Sequence, residues 1–89
     1  MRDYIEYNDT IVFHPGYYIN KIMEEKNLTQ KDFSKQLGMT LEDLWLLTQG
    51  EKNIYVDNAK ALSGAFGTSV EYWLNLQTEF DALVSRKEN

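Results

Sequence analysis

The first dozen residues hold two short runs rich in β-branched and aromatic types, Tyr4-Ile5-Glu6-Tyr7 and Thr10-Ile11-Val12-Phe13, with Asn8-Asp9 between them. Such runs around a turn-forming pair suit two strands and a tight reversal. An isolated two-stranded hairpin is marginal in water and has to lean on helices or on a partner. The segment therefore reads as a short hairpin or as an extended arm laying its aromatics on the core.

From His14 onward the apolar spacing changes to three and four, the helical period. Pro15 suits the first turn of a helix, where its missing N–H costs nothing. That first helix runs to about Lys26, with Tyr18, Ile19, Ile22 and Met23 on one face and Asn27 as a left-handed terminator. Thr29 caps a second helix, Asp32 sits at its third position, Phe33 and Leu37 face inward, and Gly38 ends it. Thr40 caps a third helix from Leu41 to about Gln49, with Leu44, Leu47 and Thr48 inward and Gly50 as the stop. A fourth spans about 57–66 and buries Asn58, Ala59, Leu62, Ala65 and Phe66. Gly64 projects from its opposite side as a propensity cost of about 1 kcal/mol. After Gly67, Ser69 caps a fifth helix from Val70 to about Val84, and residues 85–89 are expected to fray.

The fifth helix carries two apolar stripes. Tyr72, Trp73, Leu76, Phe80 and Leu83 form the one expected to face the core. Val70 and Leu74 form a second, expected on the far side, and they suggest an interface, most simply with a second copy. Tyr4 and Tyr7, with Phe13, Tyr17 and Tyr18, either cover the core or offer a surface to a partner. The pattern as a whole predicts an all-α domain of five helices over residues 14–84, behind an N-terminal arm or hairpin at 1–13.

Composition narrows the chemistry. Eighty-nine residues amount to one domain, and 43% hydrophobic with 26% charged residues is an ordinary globular balance. No apolar run approaches a membrane span, and the first residues lack the basic-then-apolar pattern of a signal peptide. The absence of cysteine excludes disulfides and thiolate zinc sites and is compatible with a cytoplasmic location. With His14 the only histidine, no catalytic base pair and no metal cluster of familiar spacing exists. Glu24-Glu25 and Glu42-Asp43 are neighbours along helices, so each pair diverges, and the glycines form no phosphate-binding loop. The expectation is a protein that is not an enzyme and takes no cofactor.

The net charge of −5 argues against gripping nucleic acid by bulk charge. No region reverses it: residues 1–16 carry −2, residues 17–52 carry −1 and residues 53–89 carry −2. Yet the second helix, the tight turn at Gly38 and the capped third helix have the spacing of a helix-turn-helix, which sets its last helix for a major groove.

The stretch Leu28-Thr29-Gln30-Lys31-Asp32-Phe33-Ser34-Lys35-Gln36-Leu37-Gly38-Met39-Thr40 resembles the lambda-repressor/Cro-like (XRE) helix-turn-helix pattern. His14-Pro15-Gly16 and Phe66-Gly67-Thr68-Ser69-Val70-Glu71-Tyr72-Trp73-Leu74-Asn75-Leu76-Gln77 add a resemblance to HigA/VapI-type antitoxins, the DNA-binding partners of HigB-type mRNA-cleaving toxins. The match runs over about residues 13–83. It implies a five-helix lambda-repressor-like domain acting as a cytoplasmic, dimeric autorepressor, with double-stranded operator DNA and a toxin as partners.

Carried over residue by residue, the resemblance places Gln30 and Lys31 at the phosphate-contacting start of the second helix. Thr40, Leu41, Glu42, Asp43, Trp45, Leu46 and Gln49 take the recognition-helix positions. Lys52 and Asn53 follow Gly50, where the family usually has a basic phosphate contact. The chain departs from its family at the recognition helix, which offers two carboxylates, a leucine and a tryptophan instead of Arg, Lys, Gln, Asn, Ser or Thr. Either the acids merely complement the helix dipole, or one accepts from a cytosine amino group while Leu46 or Trp45 meets a thymine methyl. The expected DNA binding is weak or strongly salt-sensitive. The alternative is an interaction module on the same fold, with Trp45, Leu46, Glu42 and Asp43 as a protein-contact surface and little DNA affinity.

Overall fold

The computed structural model describes residues 4–88, in the order β1 (Tyr4–Tyr7), β2 (Thr10–Phe13), α1 (Pro15–Glu25), α2 (Gln30–Leu37), α3 (Leu41–Thr48), α4 (Val56–Phe66) and α5 (Val70–Glu88). The side chain of Tyr7, one of the expected interface residues, lies outside the described set.

The N-terminal segment is a hairpin. β1 and β2 pair antiparallel, with Tyr4 opposite Phe13 and Tyr7 opposite Thr10. Asn8 and Asp9 both take positive φ, 50° and 63°, as the mirror-image two-residue turn demands and as these two residue types tolerate best. Its support comes from the helices: Phe13 stacks on Tyr17 at 4.0 Å and meets Tyr18 edge-on at 6.4 Å. Both strands also pack against α5. Burial, and then Tyr72, Tyr17 and Glu79 nearby, raise the Tyr18 phenol above its ordinary pKa.

Caps set where the helices begin. Thr29 accepts from Asp32 N–H and Thr40 from Asp43 N–H, each at 3.0 Å, and Ser69 accepts from Tyr72 N–H at 3.1 Å. The buried ring of His14 does the same for α1, its Nδ1 accepting from Gly16 N–H at 2.9 Å with Phe80 edge-on at 5.1 Å. Removing this cap by His14→Ala should cost about 2 kcal/mol, the upper part of the usual capping range, measurable by thermal unfolding. His14→Asn, which keeps an acceptor, should recover part of the loss.

Left-handed residues end the helices, with Asn27 at φ 55° and Gly38 at φ 70°. Two boundaries differ from expectation. α4 starts one residue early, because Tyr55 N–H donates to Asn58 Oδ1 at 3.1 Å and closes its first turn. α5 extends past Val84 to Glu88, with Arg86 and Lys87 in the last turn complementing the carbonyl end of the dipole. Asn89 lies outside the described residues.

The core joins Ile19 and Met23 of α1, Phe33 and Leu37 of α2, Leu44 and Leu47 of α3, Ala59 and Leu62 of α4, and Trp73 of α5. Trp73 is wholly buried, and its indole N–H donates to Thr68 Oγ1 at 2.7 Å. Val70 and Leu74 are half-buried and pack against this cluster. They form a shoulder of the Trp73 face rather than a separate stripe on the far side. At 3.6 residues per turn Leu74 stands only about 100° from Trp73, so a broad groove between elements reaches both. Gly64 is exposed, and an added Cβ would meet nothing within 4 Å. Gly64→Ala should therefore stabilise by about 0.5–1 kcal/mol, seen as a rise of a few degrees in Tm.

Candidate nucleic-acid interface

The corner between α2 and α3 is built from backbone. Gly38 N–H donates to the Lys35 carbonyl at 3.2 Å and Met39 N–H to the Ser34 carbonyl at 3.0 Å, so the positive φ of Gly38 satisfies the last carbonyls of α2. Two residues later Thr40 opens α3, whose rear side, Leu44 and Leu47, is fully buried.

Thr48 locks that rear side to the two preceding helices. It is 1% exposed, donates to the Trp45 carbonyl at 2.9 Å and accepts from Gln30 Nε2 at 3.1 Å. Its carbonyl accepts from Asn20 Nδ2 of α1 at 2.8 Å. Gly16 lets α1 approach still closer, since an added Cβ there would lie 2.9 Å from the Leu47 carbonyl carbon. An eight-residue helix is marginal alone in water. Here it is clamped from behind, and its front is left open.

That front carries most of the residues singled out from the sequence. Leu41 and Trp45 stand 50% and 49% exposed on one shoulder, Glu42 is exposed near the centre, and Leu46 and Gln49 are half-buried beside it. Asp43, on the other shoulder, pairs with Lys52 Nζ at 3.0 Å, with both side chains partly in solvent. This pair is worth little to stability, yet it cancels one of the two carboxylates and draws the Lys52 ammonium towards the start of α3. Lys31 is exposed in the first turn of α2. Gln30, which the resemblance places at the phosphate-contacting start of α2, donates from its amide nitrogen to Thr48. Asn53 is exposed, but its Oδ1 accepts from Gln77 Nε2 at 3.3 Å. Tyr4 lies elsewhere, against Phe13 at 5.8 Å, and Val70 and Leu74 belong to the α5 shoulder.

Three residues that shape this surface were not singled out for it: Gly16, Asn20 and Gln77. Gln77 had a readable signal, a polar residue four places after Trp73 on the buried face of a helix. It is 5% exposed, and its Oε1 accepts from Ile54 N–H at 2.7 Å, holding the strand-like link between α3 and α4 onto α5. Among the described residues no three His, Cys, Asp or Glu side chains converge on a metal-sized site, and no helix is long and apolar enough to cross a membrane.

No protein-family model matches the chain, and it has no match among curated proteins. Solved structures do match. A Nostoc punctiforme protein described as an antidote protein of a plasmid maintenance system is 34% identical, with a TM-score of 0.80 over 86% of this chain and 88% of that one. An addiction module antidote protein of the HigA family from Coxiella burnetii is 26% identical, with a TM-score of 0.80 over 99% of this chain and 87% of that one. The Pseudomonas aeruginosa antitoxin HigA, solved with the higBA promoter, shares the fold with a TM-score of 0.83 at 23% identity, over 86% of this chain and 85% of that one. Five helices in the same order, a capped helix-turn-helix corner and 34% identity to a plasmid-maintenance antidote protein make this chain a member of the HigA-type antitoxin family, on a lambda-repressor-like fold.

Proposed function

We propose that the protein is a DNA-binding transcriptional regulator of the antitoxin type, a dimeric autorepressor that also binds and neutralises a HigB-like toxin. The observation that carries the reading is α3 itself, clamped from behind through Thr48 while its front stays open. A rigid helix presented in this way suits a major groove, with Lys31 and Lys52 at the flanks for phosphate. The relative solved with the higBA promoter has the same arrangement of helices. The functional module is residues 14–84, and the dimer forms through the α5 shoulder at Val70 and Leu74, with Tyr4 of the hairpin as a separate contact.

A gel-shift titration at low salt with the DNA upstream of the protein's own coding sequence tests this. The expected result is a shift at lower protein concentration than with random duplex, weakening steeply as salt rises. Equal affinity for both duplexes would overturn the operator reading.

One observation favours a second reading. Leu41 and Trp45, half-exposed one turn apart, are large apolar groups of the sort that anchor protein interfaces. The same face would then bind the toxin or another protein, with little DNA affinity. Trp45→Ala should in that case weaken the protein complex at least about tenfold, and an unchanged partner affinity would count against it.

A further inference from the structure

We infer that Glu42 reads cytosine: its carboxylate accepts from the exocyclic amino group of one C·G pair in each half-site, with Leu41, Trp45 and Leu46 packed beside thymine methyls. The inference rests on the operator reading above and deepens it to a class of base sequence.

Two carboxylates stand in the first turn of α3, and the structure separates their tasks. Asp43 is held at 3.0 Å by Lys52 on the shoulder of the helix. Glu42 is exposed near the middle of the open face, and among the described residues no cation pairs with it. A carboxylate can only accept hydrogen bonds. The major groove offers two donors, the amino groups of cytosine and adenine. Adenine sets its N7 acceptor beside that amino group and repels a second anionic oxygen, and guanine shows two acceptors and no donor. Cytosine sets only a C5–H beside its amino group, on the side away from the O6 of its paired guanine, and so opposes the carboxylate least.

The neighbours fit the same edge. Leu41 and Trp45 border Glu42 on one side and Leu46 on the other, so the large groups of the first two turns beside the carboxylate are apolar, and the polar Gln49 stands only at the far end of the helix. Thymine's methyl is the apolar group that base edges present in this groove. A protein reading pyrimidines through one acceptor and several apolar contacts has no need of basic residues on its recognition helix.

The test is selection from a randomised duplex pool with the full-length protein, E42Q and D43N. The wild type should enrich cytosine about tenfold at one position of each half-site. E42Q should move that column to adenine, whose amino group and N7 an amide can pair, and leave the other columns alone. D43N, which releases Lys52 from its pair, should raise affinity for all sequences alike and leave the cytosine column as it is. The inference is overturned if E42Q selects the wild-type sequence, with or without a general gain in affinity, since Glu42 would then act only on phosphates or on the helix dipole. It is equally overturned if D43N, and not E42Q, changes the column. A folded wild type that enriches nothing over random duplex sinks the operator reading together with this one. An enriched operator indifferent to residue 42 sinks only this one.

Discussion

Gly16→Ala should lower the unfolding free energy by about 3 kcal/mol or more, although it adds a single methyl group. The new Cβ would be driven into the Leu47 carbonyl and would stand 3.1 Å from Thr48 Cα. Both obstacles are backbone, so no side chain can swing aside, and α1 has to back away from α3. Retreat breaks the Asn20–Thr48 bond and loosens Leu47, which is fully buried. For a domain of this size the loss corresponds to a fall in Tm of about 10 °C or more. DNA binding should suffer even where the variant is still folded, because the same contact aims α3. A Tm within two or three degrees of the wild type, followed by circular dichroism, would refute the close approach of the two helices.

Gln77→Leu should cost about 2–3 kcal/mol despite suiting a helix and a buried position. Leucine fills similar space but leaves Ile54 N–H without the acceptor it now has at 2.7 Å, at the one buried residue of an otherwise exposed or half-buried link. The amide's other half, which donates to Asn53 Oδ1 at 3.3 Å and Asp81 Oδ1 at 2.9 Å, is lost as well. Gln77→Glu offers a sharper test through pH. It keeps an acceptor but sets a second carboxylate beside Asp81, which raises the folded pKa of the new group above its unfolded value of about 4.3. A group with a raised folded pKa contributes fully below the unfolded value and loses its contribution as pH rises. The variant should therefore resemble the wild type most closely in acid and fall behind it towards neutrality. Urea midpoints across that range would measure the difference. A constant gap would mean that Asp81 does not face residue 77.

Helix boundaries were legible because the residues that set them act locally. Thr29 and Thr40 cap their own helices, and Gly38 and Asn27 take the left-handed conformations that few other residue types accept. The hairpin was legible only as one of two alternatives, since Asn8-Asp9 signals a turn but not what the strands rest on. Features that depend on distant parts of the chain were not visible. Gly16 entered only through the His14-Pro15-Gly16 motif because nothing near it in sequence announces the carbonyl of Leu47. Lys52 could be placed after α3 but not paired with Asp43, since the pairing depends on how the chain turns at Gly50. Val70 and Leu74 were assigned to a separate face because periodicity gives angles about an axis, not the width of the groove the axis lies in. At the candidate site, the open face of α3 followed from counting residues per turn, whereas the inward turn of Gln30 depends on Thr48 standing opposite it.

The clamp on Thr48 also bears on how such a protein changes its target. The side-chain bonds that tie α3 to α1 and α2 come from its rear, through Asn20, Gln30 and Thr48, and its buried apolar residues lie on that side too. Glu42, exposed on the front, contributes little to folding, so substitutions there should be nearly neutral for stability, while Leu41 and Trp45 contribute only through the half of each side chain that is covered. On the proposed function, specificity and most of the helix's anchorage thus fall on opposite sides of one short helix. A lineage can rewrite what the front recognises, operator or protein, one residue at a time, without passing through an unfolded intermediate.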